Sequence, residues 1–141
     1  MIIRKFELND LDRVFELLNE LYEGKLKYDV FSKIYQDRLN NDTSYYVVSV
    51  IDNKVVGVLT SELEVKLTRE RKQMYIDTII VDKDYRNKGI GKALMENAIN
   101  FAINNNCEIV ELTSKLNNEN AHRFYEGIGF KKHSYKFKKY L

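Results

Sequence analysis

The stretch from Ile76 to Leu94 constrains this chain most. An apolar run (Ile76, Ile79, Ile80, Val81) leads into a short charged turn, and Gly89-Ile90-Gly91 follows. From there Ile90, Leu94, Ala98, Phe101 and Ala102 recur at helical spacing, which predicts a helix over Gly89 to Asn104. Asn104-Asn105-Asn106 ends it, and Glu108 to Leu112 reads as another strand. Strand, helix, strand in that order implies a right-handed crossover to a parallel neighbour. The turn also has a chemical reading. Glycines let backbone approach a bulky anion, and the first N–H groups of a helix point at it. Arg86, Lys88 and Lys92 add positive charge nearby. A plain turn and a phosphate or pyrophosphate cradle both fit this pattern.

The rest of the chain supplies a sheet around that unit. Ile2 to Phe6 reads as a first strand. Asn9 is the expected N-cap of a helix carrying Leu11, Val14, Phe15, Leu18, Leu21 and Tyr22, and Gly24 stops it. A second helix is predicted over Tyr28 to Leu39, ended by Asn40-Asn41-Asp42. Tyr45 to Ile51 and Lys54 to Leu67 are rich in β-branched and aromatic residues, with Asp52-Asn53 between them as a hairpin signal. After a charged turn at Thr68 to Lys72, Gln73 to Val81 is the next strand, so three antiparallel strands in a row are expected. Asn118 to Gly127 reads as a short helix and Lys132 to Tyr140 as a final strand. This order predicts an α/β (α+β) chain with a mixed, mostly antiparallel sheet and helices on both faces.

Composition removes several function classes. At 141 residues, 44% hydrophobic and 31% charged, the chain suits one soluble domain over residues 1–141 with one core. No apolar run approaches the roughly 18 residues of a membrane span. The start, Met1-Ile2-Ile3-Arg4-Lys5-Phe6-Glu7, reads as a strand and not as a signal peptide. A single cysteine, Cys107, excludes an internal disulfide and suits a reducing, cytoplasmic setting. It reads as a structural thiol at the head of an apolar strand. Net charge of +2 gives no case for nucleic acid. The charge is uneven, however. Nine acids and five bases lie between Glu7 and Asp42, whereas Lys131 to Leu141 holds five lysines and no acid. Solvated faces or ligands of opposite charge would both account for this. No His, Cys and Asp spacing resembles a metal site, and His122 and His133 stand alone.

The glycine turn lacks the spacing of a Walker loop, and Leu94 stands where a dinucleotide fingerprint needs a third small residue. A second cluster gives it context. In Asn118-x-x-Ala121-x-x-Phe124-Tyr125-Glu126-x-x-Gly129-Phe130, Ala121, Phe124 and Tyr125 share one helix face. Tyr125 reads either as core or as a proton donor with a pKa of about 10. Arg86-Asn87-Lys88-Gly89-Ile90-Gly91 resembles the pyrophosphate loop [RQ]-x-x-G-x-[GA] of the GNAT N-acetyltransferases, and the second cluster resembles that family's N-x-x-A-x-x-[FL]-Y-E-x-x-G-F motif. The close match runs from about Tyr75 to Phe130.

The resemblance implies an acyl-CoA N-acyltransferase fold and acetyl-CoA as co-substrate, with no metal. It implies that backbone from Asn87 to Lys92 (Asn87, Lys88, Gly89, Ile90, Gly91, Lys92) holds the pyrophosphate with help from Arg86. The pantetheine arm would pair with the preceding strand at Ile79, Ile80 and Val81. A family bulge, not readable from sequence, would splay that strand and aim an N–H at the acetyl carbonyl. Asn118 would contact the cofactor arm, and Tyr125 would protonate the departing thiolate. Asp77 matches a position that often carries an acid, as general base or substrate anchor, with Glu62 and Glu64 as rivals. Alternation alone puts Tyr75, Asp77 and Ile79 on one face. The expected activity is acetyl transfer to a primary amine, on a small molecule or a protein, in a ternary complex. The acidic N-terminal helices favour a cationic acceptor. The alternative is a non-catalytic acyl-CoA sensor or partner subunit of the same fold. No nucleic-acid or membrane partner is expected, and the resemblance leans towards a homodimer.

Overall fold

The computed structural model describes all 141 residues. They fall into two compact units, residues 1–111 and residues 112–141. The first holds β1 (Ile2–Lys5), α1 (Leu11–Leu21), α2 (Tyr28–Leu39), β2 (Ser44–Ile51), β3 (Lys54–Glu64), β4 (Lys72–Val81) and α3 (Ile90–Asn104). It also holds nearly all of β5 (Cys107–Leu112). The second holds α4 (Glu119–Gly127).

The five strands form one mixed sheet in chain order, β1-β2-β3-β4-β5. The first four pair antiparallel. The β2–β3 hairpin turns where Asp52-Asn53 predicts it. Both residues take positive φ, 49° and 62°, which suits a two-residue turn between right-twisted strands.

Side chains alternate across the sheet, so Gly57 and Val58 face opposite ways. Val58 joins Phe6, Val14, Leu17, Leu18, Tyr35, Val48, Val55 and Ile80 in a buried cluster under α1 and α2. On the other face, Tyr45 stacks on Phe101 of α3 at 3.6 Å between ring centroids, and its hydroxyl donates to Asn97 at 2.7 Å. Gly57 lies under the same helix. A Cβ there would come within 2.4 Å of Ser49 Oγ and 3.0 Å of Leu94 Cδ1, so only glycine lets α3 lie this close. Helices thus cover both faces.

The entry to α1 differs from expectation. Asn9 does not cap it. A 3-10 turn over Leu8–Asp10 comes first, and Glu7 and Asp10 form a reciprocal capping box, with Glu7 N–H donating to Asp10 at 2.8 Å. Asp10 is buried and accepts two further bonds from Arg4, at 2.7 and 3.0 Å. Aspartate at this place serves the Glu7 N–H and the Arg4 guanidinium together.

The predicted strand over Lys132 to Tyr140 is absent. Residues 130–141 have no regular secondary structure, and 131–141 are exposed throughout. A strand is stable only when paired, and the five-stranded sheet does not include this segment.

Candidate active site

The exit of β4 is built from one carboxylate. Asp82 caps the 3-10 turn Lys83–Tyr85 by accepting from Asp84 N–H at 3.0 Å. It pairs with the Arg13 guanidinium of α1 and, at 3.5 Å, with Lys54 Nζ from the β2–β3 hairpin. Its backbone N–H donates to Val56 O at 2.8 Å. The Asp84 N–H holds its carboxyl below the usual carboxylate range; burial opposes this, and Arg13 and Lys54 reinforce it. One side chain therefore fixes α1, the hairpin and β4 where the glycine turn begins. Sequence reasoning passed over Asp82. The signal was a strand-ending aspartate two residues before another N–H, the spacing of an Asx cap.

Beyond it, Arg86 Nε donates to Val81 O at 2.9 Å and folds the turn back on the strand end. Asn87 and Gly89 take positive φ, 60° and 79°. Gly89 is the N-cap of α3, and nothing lies within 4 Å of where its Cβ would stand. The opening turn of α3 holds no acidic residue, and its first N–H groups have no acceptor within the helix. Gly89, Lys88 and Lys92 are exposed, and Lys88 Nζ and Lys54 Nζ lie over the Tyr85 ring at 5.3 and 5.5 Å. The result is an open, positively charged helix N-terminus that suits an anion. Ile79, Ile80, Val81 and Arg86 line a cleft of about 450 Å³ whose opposite wall is Glu20, Leu21 and Glu23. The strand, the turn and the cleft thus belong to one continuous feature.

Four residues upstream of Val81, β4 carries a bulge. Thr60 pairs with Thr78 but Ser61 pairs with Ile76, leaving Asp77 as the extra residue. The bulge overturns simple alternation. Thr60 and Glu62 share a face, so their partners Thr78 and Tyr75 do too, and Ile79 faces the other way. Asp77 is exposed and lies close enough to Tyr22 to help burial raise that phenol's pKa. The rival acids have partners of their own. Glu62 accepts from Tyr46 at 2.8 Å and from Ser44 at 3.0 Å, with Arg38 at 3.6 Å. Glu64 accepts from Gln73 at 2.8 Å and pairs with Lys66 at 3.8 Å.

In the second unit, Asn118 is the N-cap of α4 and accepts from Ala121 N–H at 3.2 Å. Tyr125 is half-buried between Phe124 and Phe130, at 5.4 and 6.1 Å between centroids. Burial raises its phenol pKa, so the proton is held at neutral pH. His122 is tied to Lys115 O at 2.8 Å, and His133 is exposed. Cys107 opens β5 half-buried, with its thiol pKa raised by burial, as suits a structural thiol. No group of three His, Cys, Asp or Glu residues converges to hold a metal ion, and no helix is long and apolar enough to cross a membrane.

Known proteins are similar to this chain. An uncharacterized N-acetyltransferase of Methanocaldococcus jannaschii is 31% identical over 91% of this chain, which spans 59% of that protein. The aminoalkylphosphonate N-acetyltransferase of Salmonella typhimurium is 27% identical over 99% of this chain and 90% of its own. An aminoglycoside acetyltransferase from an uncultured soil metagenomic sample, solved with sisomicin, superposes with a TM-score of 0.85 at 25% identity, covering 99% of this chain and 95% of that one. The sequence profile of the acetyltransferase (GNAT) family matches residues 11–130, from α1 through the bulged strand and the glycine turn to the end of the second motif, and the chain belongs to that family.

Proposed function

We propose that this chain is a single-domain, cytoplasmic N-acetyltransferase of residues 1–141 that moves an acetyl group from acetyl-CoA to a primary amine by direct attack in a ternary complex. The observation that carries this is the continuity of strand, cleft and helix N-terminus at the exit of β4. An elongated ligand with an anionic handle fits that feature. N–H groups from Asn87 to Lys92 hold its pyrophosphate, with Arg86, Lys88 and Lys92 adding charge. Ile79, Ile80 and Val81 take the pantetheine arm beside the cleft. Asn118 uses its carbonyl oxygen as a cap, so its amide N–H groups serve the arm.

The acceptor must attack as a neutral amine. An amine of pKa about 10.4 is mostly protonated at pH 7, and removing that proton costs about 4.6 kcal/mol. Asp77, exposed at the bulge, takes the proton directly or through water. The nitrogen lone pair then attacks the thioester carbonyl carbon, the C–S bond breaks, and the sulfur leaves with the Tyr125 phenol proton, while the second proton shed by the nitrogen passes through water to restore the phenol. Burial of Tyr125 keeps that proton in place until the thiolate develops. Glu20 and Glu23 in the cleft wall favour a cationic acceptor, and the relatives named for aminoalkylphosphonate and aminoglycosides support a small molecule.

Thermal shift with acetyl-CoA, followed by an amine panel read by free thiol release, tests this. At about 100 times its dissociation constant, acetyl-CoA adds about 2.7 kcal/mol of stability. An unchanged melting temperature at millimolar acetyl-CoA overturns the reading. A shift without turnover on any amine favours an acyl-CoA-binding sensor instead.

A further inference from the structure

Within the acetyl-transfer reading, on which this rests, we propose that Arg38 is a specificity residue of the acceptor site and that the amine acetylated there carries an oxyanion, a carboxylate or phosphonate, at its other end. Three strands place the parts. Ser44 of β2, Glu62 of β3 and Tyr75 of β4 form one row across the sheet, and Tyr46, Thr60 and Thr78 form the next. On β4, Asp77 is the extra residue between these two rows. Arg38 comes from the last turn of α2 and reaches the first row, with its guanidinium 3.6 Å from the Glu62 carboxylate. Adjacent strands lie about 4.8 Å apart, so a short molecule held at Asp77 on β4 reaches the space above Glu62 on β3. Tyr46 reports on both ends. Burial raises its phenol pKa most and the Glu62 hydrogen bond adds to this; Arg38 opposes the rise and Asp77 reinforces it. One hydroxyl thus feels the guanidinium and the bulge carboxylate together.

Arg38 is held differently from the arginines that build the fold. Arg4 makes two hydrogen bonds to Asp10, at 2.7 and 3.0 Å, and Arg13 bonds Asp82 and Val55 O. Both of those aspartates are buried. Glu62, by contrast, is already served by Tyr46 at 2.8 Å and Ser44 at 3.0 Å. Arg38 adds only an ion pair at 3.6 Å, beyond N–H···O hydrogen-bond distance, and its side chain is 36% exposed. Glu62 therefore steadies the guanidinium by charge and leaves its planar fork of N–H donors open to a further acceptor. That fork matches the paired oxygens of a carboxylate or phosphonate. The ammonium end of the same molecule lies at Asp77, where it is deprotonated. An amine without an oxyanion gains nothing from Arg38.

The test compares glycine, β-alanine and γ-aminobutyrate with the n-alkylamine and the aminophosphonate of the same chain length. Each is assayed with acetyl-CoA by free thiol release, on the full-length wild type, Arg38→Lys and Arg38→Gln. Wild type is expected to favour an oxyanion-bearing amine over its matched alkylamine by about 10- to 100-fold in kcat/KM, mainly through KM. A preference for either oxyanion supports the assignment, and the better of the two names the end group. Arg38→Gln should abolish the preference, and Arg38→Lys should keep part of it, because an ammonium retains the charge without the fork. A merely structural fault lowers all substrates together and leaves their ratio unchanged. Equal use of alkylamines by wild type, or a preference that survives Arg38→Gln, overturns the proposal and leaves acetyl transfer standing. No turnover of these or any other amine is instead the failure of the acetyl-transfer reading, and the proposal falls with it.

Discussion

In residues 1–111, twenty apolar side chains are at most 9% exposed, and helices cover both faces of the sheet. In residues 112–141 no residue is buried, although Phe124, Tyr125, Phe130, Tyr135 and Phe137 all lie there. The second of the two sequence motifs therefore sits in the part without a core. An isolated helix of nine residues is too short to be stable in water. Its aromatic residues Phe124 and Tyr125 pack on each other, and Tyr125 on Phe130, without any of them being fully buried. The first unit holds the buried core, and the second holds half-buried and exposed aromatic residues.

Substitutions can break this comparison, and the largest effect belongs to the core. Leu94→Ala removes a fully buried side chain, so chemical denaturation is expected to show a loss of about 2–5 kcal/mol. Phe124→Ala in the second unit is expected to cost under about 1 kcal/mol by the same measurement. Similar losses would mean that residues 112–141 do have a core. Tyr125→Phe should lower kcat by about 100-fold with the melting temperature unchanged, as befits a residue kept for chemistry. Unaltered turnover with a validated amine would remove Tyr125 as the acid.

Asp82→Asn should cost about 1.5–3 kcal/mol by urea titration, because Arg13 and Lys54 lose their charged partner. The pH dependence has a definite sign. The folded-state carboxyl titrates below its unfolded value, so its stabilisation is complete above the unfolded pKa of about 3.9. It disappears as pH falls through the lower folded value. Wild type and Asp82→Asn should then converge in stability as pH falls below that folded value, which paired denaturation curves would check. Ser49→Ala has the smallest effect. Ser49 Oγ is buried without a hydrogen-bond partner, so removing it should raise stability by up to about 1 kcal/mol in the same titration.

Much of the fold was legible because its signals are local. The Asp52-Asn53 turn, the Tyr28–Leu39 helix and the strand-to-helix passage at Gly89 each depend on a few adjacent residues. The bulge at Asp77 depends on how β4 meets β3, which no residue in β4 announces. Asp82 was missed for the same reason, since its partners lie 69 and 28 positions away. Lys132 to Tyr140 shows the opposite error: the pattern is strand-like, but a strand also needs an edge. At the candidate site, the glycine turn and Tyr125 were readable as motifs. The hydrogen-bond partners of Glu62 and Glu64 were not readable from the sequence.

Gly57 gives the architecture a mechanical tolerance. The helix that begins at the glycine turn rests on β3 through a missing side chain, with Ser49, Leu94 and Ile90 around the gap. Ile90 is also the first residue of that helix. The height of the helix above the sheet is thus set at its glycine-turn end. A single methyl at position 57 would act as a shim there, lifting the anion cradle relative to the strand beside it. The spacing between the glycine turn and the sheet is therefore adjustable from inside the core.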